Sequence, residues 1–199
     1  IEEGITRIAD YAVTLDGLLA YVEVKQLDPN ERDRKVKGQP DAGLVAGGGS
    51  VAPTRRVRDL IAKAYNQLKS YGKRGHPCLV VLYNNAGFLN CIDSFTVTSA
   101  MFGGFGFRLA LASSQTIHVS GHGFLGGRKL TRNTCRGISA VCVLESSGPE
   151  GLHLTAYHNP FAKNPIEPAA LALLATHQLR HESPHSGQFV PLMPRVVGV

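Results

Sequence analysis

The sequence is poor in cysteine, and its cysteines follow no pattern typical of disulfides or metal sites. The four residues lie at positions 78, 91, 135 and 142, with no CxxC pair and no histidine at zinc-finger spacing. Neither a disulfide framework nor a structural zinc site is therefore indicated. Cys78 and Cys142 lie in apolar runs, which predicts buried, reduced thiols and makes Cys78 an unattractive nucleophile.

Long apolar runs are also missing. No segment approaches the roughly 20 consecutive apolar residues of a membrane-spanning helix, and the first residues lack the basic-then-apolar order of a signal peptide. We therefore expect a cytoplasmic protein with no membrane partner. A length of 199 residues, with 43% hydrophobic and 18% charged residues, is sufficient for one globular domain spanning residues 1–199.

Acidic residues are scarce between Arg32 and Arg74. This segment contains eleven Lys or Arg and three Asp, an excess of eight, whereas the net charge of the whole chain is +6. The basic character is therefore local. It is typical of a nucleic-acid-binding surface, although such clusters are also common on solvated faces.

The first clear structural pattern is ADYAVTLDGLLAYVEVK, residues 9–25. Asp16-Gly17 is a strong signal for a two-residue β-hairpin turn. That turn would place 15 opposite 18, 13 opposite 20, 11 opposite 22 and 9 opposite 24. The face formed by these residues is apolar throughout, so we expect it to belong to the core.

The same register sends Asp10 and Glu23 to the opposite face as direct neighbours, with Lys25 two residues beyond Glu23. Two facing carboxylates repel each other. A cation between them, a shared proton or the ammonium of Lys25 would offset this repulsion. A hard divalent ion such as Mg²⁺ fits the oxygen ligands and suggests phosphate chemistry. A slipped register or a solvated polar face is the alternative.

The chain after the hairpin indicates an α/β domain. Residues 27–54 are rich in Gly, Pro and charge and are expected to form a mobile loop. The next stretch has apolar residues at helical spacing up to Gly72, a plausible stop; these are Val57, Leu60, Ile61, Ala64, Leu68 and Tyr71. A buried strand over residues 76–85 would complete a β-α-β crossover in a mixed sheet.

The C-terminal half is less regular. We expect a short helix and a turn around VTSAMFGGFGFRLALASS, then a glycine-rich basic connection through residue 136. GISAVCVLES and GLHLTAYHN are expected to form the two strands of a hairpin. Residues 165–182 are expected to form a short helix, and residues 184–199 an extended or disordered tail. His118 and His122 would share a metal only on a helix, which the neighbouring glycines disfavour. Tyr157-His158-Asn159-Pro160 either borders the site or ends a strand.

The combination of Asp10 with Glu23-Val24-Lys25, followed by a crossover helix, resembles the PD-(D/E)xK nuclease superfamily. The acid is written here as Ala-Asp rather than Pro-Asp. Gln67 and Tyr71 on the helix match the Q-x-x-x-Y pattern that resembles the RecB-like branch of these nucleases. The resemblance covers about residues 5–85 and implies a restriction-endonuclease-like fold, a mixed β-sheet core flanked by helices.

The resemblance implies metal-assisted phosphodiester hydrolysis. Asp10, Glu23 and the Val24 carbonyl would hold Mg²⁺, with Mn²⁺ as a substitute, and Lys25 would orient or deprotonate the attacking water. Gln67 and Tyr71 would complete the catalytic set. Basic side chains of the helix and of the glycine-rich segment would contact backbone phosphates; these are Arg55, Arg56, Arg58, Lys63, Arg128, Lys129 and Arg132.

Three functions follow from these observations. The first is a Mg²⁺-dependent nuclease acting on DNA rather than RNA. The second is a catalytically inactive nucleic-acid-binding module of the same fold, and the third is a protein–protein interaction domain with an incidental polar face. The sequence leaves open whether the chain also works with an upstream domain or with further copies of itself in a homo-oligomer.

Overall fold

The computed structural model describes residues 8–31, 54–85, 92–111, 117–146, 151–172, 174–181 and 189–192. The described helices are α1 (Thr54–Lys73), α2 (Ser94–Phe102) and α3 (Pro168–Leu171). The described strands are β1 (Tyr11–Leu15), β2 (Leu18–Leu27), β3 (Cys78–Asn84), β4 (Gly104–Leu111), β5 (Ile117–Leu125), β6 (Ala140–Ser146), β7 (Leu152–His158), β8 (His177–His181) and β9 (Phe189–Pro191).

Seven of these strands form one mixed sheet in the order β1-β2-β3-β6-β7-β8-β9. Strands β2, β3 and β6 are parallel, as are β7 and β8, whereas the other neighbouring pairs are antiparallel. Helix α1 connects β2 to the parallel β3, because parallel neighbours require a crossover. The predicted mixed α/β architecture with an N-terminal hairpin and a crossover helix is therefore confirmed.

The predicted register of the first hairpin is confirmed over the length of β1. Tyr11 lies opposite Val22, Val13 opposite Ala20 and Leu15 opposite Leu18. Asp16 and Gly17 both have positive φ, at 49° and 77°, as a type I′ turn requires. The turn therefore fixes which side chains of β2 face each side of the sheet.

The hairpin departs from the prediction at its open end. Pairing stops at Tyr11, which is 61% exposed because β1 is the edge of the sheet. Ala9 was expected on the same face as Val22, but it is buried in the cluster on the opposite face. Asp10 is therefore not a ladder partner of Glu23, and this part of the prediction is wrong.

Two apolar clusters cover the two faces of the sheet. The first lies under α1 and α2 and includes Ile61, Leu68, Val80, Val97 and Val141. The second includes Val22, Leu79 and Cys142 and is covered by residues 166–171, in and just before α3. Alternation along β2 accounts for the division, because successive side chains point to opposite faces.

Helix α1 does not stop at Gly72 but continues to Lys73. The glycine is needed for a close approach instead: a Cβ at Gly72 would lie 3.0 Å from the Cα atom of Gly137. The Gly72 carbonyl also accepts a hydrogen bond of 2.7 Å from Asn164. Gly72 thus allows the chain before β6 to pack directly on α1.

Two C-terminal predictions are wrong. The segments expected to contain a turn and a glycine-rich connection form an antiparallel pair, β4 and β5, with a bulge between Arg108 and Leu109. The helix expected over residues 165–182 is only α3, because residues 177–181 pair with β7 as β8. The short helix before β4 and the β6–β7 hairpin are confirmed.

Some predictions fall largely outside the described residues. These are most of the 27–54 loop and most of the 184–199 tail, in which residues 189–191 form β9. Within the described part of the chain, no helix combines the length and apolar character that spanning a membrane requires.

Candidate active site

Glu23 is a carboxylate in the interior of the protein. It lies in the middle of β2, is 0% exposed, and points to the face of the sheet that α1 covers. Its Oε1 atom accepts a hydrogen bond from the Lys25 ammonium. Its Oε2 atom is buried and has no hydrogen-bond partner among the described residues. A buried carboxylate oxygen without a partner is costly, which makes this atom the notable feature of the site.

Lys25 connects the sheet to the crossover helix. Its ammonium donates to Glu23 and also to the Gln67 Oε1 atom, at 2.7 Å. Residues 23 and 25 lie on the same side of one strand, so Glu23 provides one acceptor for the Lys25 ammonium. Helix α1 provides a second acceptor, Gln67, and the two together fix the lysine. The ammonium of Lys25 is one of the three arrangements that the sequence allowed for balancing Glu23.

Asp10 reaches the same region from outside the ladder. Its Oδ2 atom accepts a hydrogen bond of 2.8 Å from the Val24 N–H. The N–H groups of Tyr21 and Asn85 show that the odd-numbered residues of β2 bond towards β3, so the N–H and C=O of Val24 both point towards the β1 side. The Asp10 carboxylate and the Val24 carbonyl oxygen therefore lie along the β1 side of β2, at the residue that follows Glu23.

Tyr71 holds the segment that carries Asp10. Its ring stacks on Tyr21 with centroids 3.9 Å apart, and its hydroxyl accepts a hydrogen bond of 3.4 Å from the Ala9 N–H. Gln67 and Tyr71, one helical turn apart, thus contact the two parts of the hairpin that carry Lys25 and Asp10. Sequence reasoning missed Tyr21, although its position two residues before Glu23 on the same face was a usable signal.

An open cleft gives access to Lys25. It has a volume of about 540 Å³ and is lined by Ile8, Lys25, Leu60, Lys63, Asn66 and Gln67. The Lys25 side chain is 19% exposed, so it is the part of the buried pair that reaches the cleft. A ligand in this cleft would meet Lys25 first, with Glu23 behind it.

The basic residues of α1 are divided between two sides of the helix. Lys63 lines the cleft beside Lys25, and Arg56 donates to the Asp28 carbonyl just after β2. Arg58 instead donates to the Ser99 carbonyl of α2 at 3.4 Å and lies against Gly127. Arg55 is exposed at the start of the helix. The structure therefore brings Lys63, but not Arg58, to the candidate site.

Arg128, Lys129 and Arg132 lie with Arg58 rather than with Lys25. The N–H of Lys129 donates to the Met101 carbonyl at the end of α2, at 3.0 Å. Arg58 is nine residues from Gln67, about 180° around the helix at roughly 100° per residue. Helix α1 thus separates this second basic group from the Glu23–Lys25 pair.

The remaining sequence candidates do not join the site. Tyr157 lies three strands from β2 in the sheet order, roughly 14 Å at about 4.8 Å per strand. Its hydroxyl hydrogen-bonds Ser94 at 2.8 Å, and burial raises its pKa. His118 and His122 lie in strand β5, not on a helix. Burial raises the pKa of Cys78 to about 12, which agrees with an unreactive thiol.

The donor set is small. Within the described ranges, no group of three or more His, Cys, Asp and Glu side chains is placed to share an ion. The candidate set comprises two carboxylates and a main-chain carbonyl. Mg²⁺ is often bound through one or two carboxylates, with waters and substrate phosphates as its other ligands.

Comparisons of the chain with protein-family models, curated proteins and solved structures found no match. The family resemblance therefore depends on the residues themselves and on their arrangement around Glu23.

Proposed function

We propose that the chain is a metal-dependent nuclease that hydrolyses phosphodiester bonds, in DNA rather than RNA. The observation that carries this proposal is the fully buried Glu23 carboxylate, which has one oxygen on Lys25 and the other without a described partner. A carboxylate that served only as the partner of Lys25 would gain nothing from leaving an oxygen buried and unbonded. A cation is the partner that such an oxygen lacks.

The neighbouring oxygen atoms fit a hard divalent ion. Asp10, Glu23 and the Val24 carbonyl offer only oxygen ligands, and the hydrogen bond from Val24 occupies one Asp10 oxygen. When bound, Mg²⁺ or Mn²⁺ would polarise the scissile phosphate and stabilise charge on the leaving oxygen. The set has no sulfur or imidazole, which favours Mg²⁺ over zinc.

The protein side chains supply positioning and proton transfer. Lys25 lies at the boundary between Glu23 and the cleft, where its ammonium orients a water molecule or, once deprotonated, accepts the proton of that water. Gln67 fixes the lysine, and Tyr71 fixes the main chain before Asp10. Lys63, on the lining of the cleft, is placed to attract a backbone phosphate.

A restriction-endonuclease-like fold is part of the same proposal. It is supported by a hairpin that carries Asp10 and Glu23, a crossover helix that carries Gln67 and Tyr71, and a parallel strand that follows the helix. A catalytically inactive nucleic-acid-binding module is the second candidate. The Lys25–Glu23 contact favours it, because the ammonium already compensates one carboxylate in the absence of an ion.

Cleavage assays separate the two candidates. The purified chain is incubated with supercoiled plasmid and with linear single- and double-stranded DNA, in Mg²⁺, Mn²⁺ or EDTA. We expect cleavage in either metal, none in EDTA, and loss of cleavage in Asp10→Ala. Asp59→Ala, which removes an exposed acid of α1, is the matched control and should cut like the parent. DNA binding without cleavage in any metal would favour the inactive module.

Substitution of Gln67 tests whether the helix positions Lys25. Gln67→Leu removes the acceptor of the lysine ammonium and keeps a side chain of similar size. We expect cleavage to fall about 10- to 100-fold, as is typical when a supporting hydrogen bond of a metal site is lost. Asn66→Leu, on the same cleft but without a hydrogen bond to Lys25, should leave the cleavage rate unchanged; equal losses in both variants would contradict this role for Gln67.

A further inference from the structure

The middle of the chain carries positive charge without acids. Residues 94–144 contain no Asp or Glu, and they contain five Arg or Lys; these are Arg108, Arg128, Lys129, Arg132 and Arg136. The last four fall within the nine residues from 128 to 136. A surface built from this segment has positive charges that attract anions and no carboxylates of its own.

This basic segment borders an aromatic cavity. The cavity has a volume of about 220 Å³, and apolar side chains contributed by α2, β5 and two loops line it; these are Phe102, Phe124, Leu130 and Phe161. Arg128 and Arg132 also line it. Arg128 is held there by donating to the Phe124 carbonyl. An apolar interior with guanidinium groups at its boundary suits a flat ligand that carries a negative charge on one side.

The loop that presents Arg132 is held by its own hydrogen bonds. The Thr131 hydroxyl accepts from the N–H groups of Asn133 and Thr134, at 3.1 and 3.0 Å. Thr134 in turn donates to the Lys129 carbonyl at 2.7 Å. The Leu130 N–H anchors the loop to Met101 at 2.8 Å. The cavity is therefore formed before a ligand binds, which lowers the entropic cost of binding.

A second cavity adjoins the first. It has a volume of about 360 Å³ and is lined by Arg132, Arg136, Pro160, Phe161 and Ala162. Arg132 and Phe161 are common to both cavities. One cationic and one aromatic side chain thus lie between two neighbouring recesses, an arrangement that matches successive nucleotides and the phosphate that joins them.

We propose that these two cavities bind single-stranded nucleic acid, with an unstacked base against Phe161 and a backbone phosphate on Arg132. This inference rests on the proposed function, because it assigns a strand of the same substrate to a second surface. The surface lies on the other side of α1 from Lys25, since Arg58, which lies against Gly127, is about 180° around the helix from Gln67. It therefore holds the strand at a distance from the bond that is cut.

The test compares two fluorescein-labelled 12-nucleotide oligomers, oligo-dT and an abasic strand of equal length, by fluorescence anisotropy with the full chain in EDTA. Phe161→Leu should weaken oligo-dT binding about tenfold and leave abasic binding within about twofold, since the abasic strand has nothing to stack. Arg132→Ala should weaken binding of both oligomers and reduce the salt slope by about 0.7.

Matched controls isolate these effects. Phe95→Leu changes a phenylalanine that is 64% exposed and does not line either cavity, and Arg180→Ala removes one exposed positive charge from β8. Both should bind like the parent. Thermal denaturation checks that Phe161→Leu remains folded, because Phe161 packs against the core. Arg132→Ala changes an exposed residue, so it tests the phosphate contact without disturbing that packing.

Two outcomes would overturn the proposal. Equal effects of Phe161→Leu on both oligomers would reduce the surface to a phosphate contact without a base site. If neither oligomer bound, the cavities would not be a nucleic-acid site, and a side chain of a partner protein would be the remaining candidate ligand. Because these measurements use EDTA, they do not depend on cleavage: a base-dependent effect of Phe161→Leu in a chain that cuts no DNA would support this surface and contradict the nuclease.

Discussion

Glu23→Gln should lower Mg²⁺-dependent DNA cleavage on the order of 10³-fold. The substitution keeps the size of the side chain but removes the negative charge that the proposed ion and Lys25 both require. It also replaces one of the two carboxylate oxygens, of which Oε2 lacks a described partner, with an NH2 group that donates hydrogen bonds and does not accept them. Single-turnover cleavage of linear DNA at saturating protein measures the effect without interference from product release.

Glu145→Gln is the control for this substitution. Glu145 is exposed at the end of β6, which lies two strands from β2 in the sheet order. It should leave the cleavage rate within about twofold. DNA binding in EDTA should also be the same for Glu23→Gln and the parent. Retention of cleavage by Glu23→Gln would remove Glu23, and with it the proposed metal site, from the mechanism.

Lys25→Met should lower the free energy of unfolding by about 3 kcal/mol in EDTA, because it leaves the buried Glu23 carboxylate without its counter-charge. The value lies at the lower end of the usual range, since the Lys25 side chain is 19% exposed and water partly screens the pair. Urea denaturation measures the loss. Lys69→Met, at an exposed position of α1, should stay within about 0.5 kcal/mol of the parent.

The double variant Glu23→Gln/Lys25→Met separates the charge from the packing. Without the carboxylate, methionine no longer leaves an unpaired charge, so we expect the double variant to be more stable than Lys25→Met alone by at least about 1 kcal/mol. If the double variant were as unstable as the sum of the two single variants, packing rather than charge would account for the loss.

A divalent ion should reverse part of the destabilisation. In Lys25→Met the ion replaces the missing ammonium, so saturating Mg²⁺ or Mn²⁺ should raise the melting temperature of this variant more than that of the parent, by mass action on the folded state. Glu23→Gln/Lys25→Met lacks the buried carboxylate and should show little response. Equal responses in the single and double variants would contradict an ion at Glu23.

The sequence was sufficient to predict the position of Glu23 and Lys25 in the sheet. Asp16-Gly17 determines the turn, the turn determines the register, and the period of two places residues 23 and 25 on one face. The spacing of Gln67 and Tyr71 likewise placed both on one side of α1. These features depend on residues that are close in sequence, so the sequence alone is sufficient to predict them.

The sequence did not reveal how the carboxylates are arranged. The direct pairing of Asp10 and Glu23 required β1 to extend past Tyr11, whereas Tyr71 draws the Ala9 main chain to the other face. The complete burial of Glu23 depends on the packing of α1 across β2, between residues far apart in sequence. A hydrogen bond from Val24 to Asp10 is equally invisible without the path of the chain.

Tertiary contacts also explain the errors after residue 91. Four of the strand residues are glycines, at positions 104, 106, 121 and 123, and glycine weakens a strand, yet β4 and β5 pair over eight positions. Residues 177–181 follow a helix-like apolar run, but the free edge of β7 recruits them as β8. In both cases strand pairing overrides the local preference.

The hydrogen bond between Asp10 and Val24 has a consequence for self-association. Edge strands offer unpaired N–H groups on which another chain can add a strand, and proteins protect such edges with charged side chains. Beyond Tyr11, the donor of Val24 is occupied by a carboxylate rather than by a strand. A residue retained for metal binding would thus also guard the sheet against intermolecular β-pairing, so loss of Asp10 would link loss of activity to a tendency to aggregate.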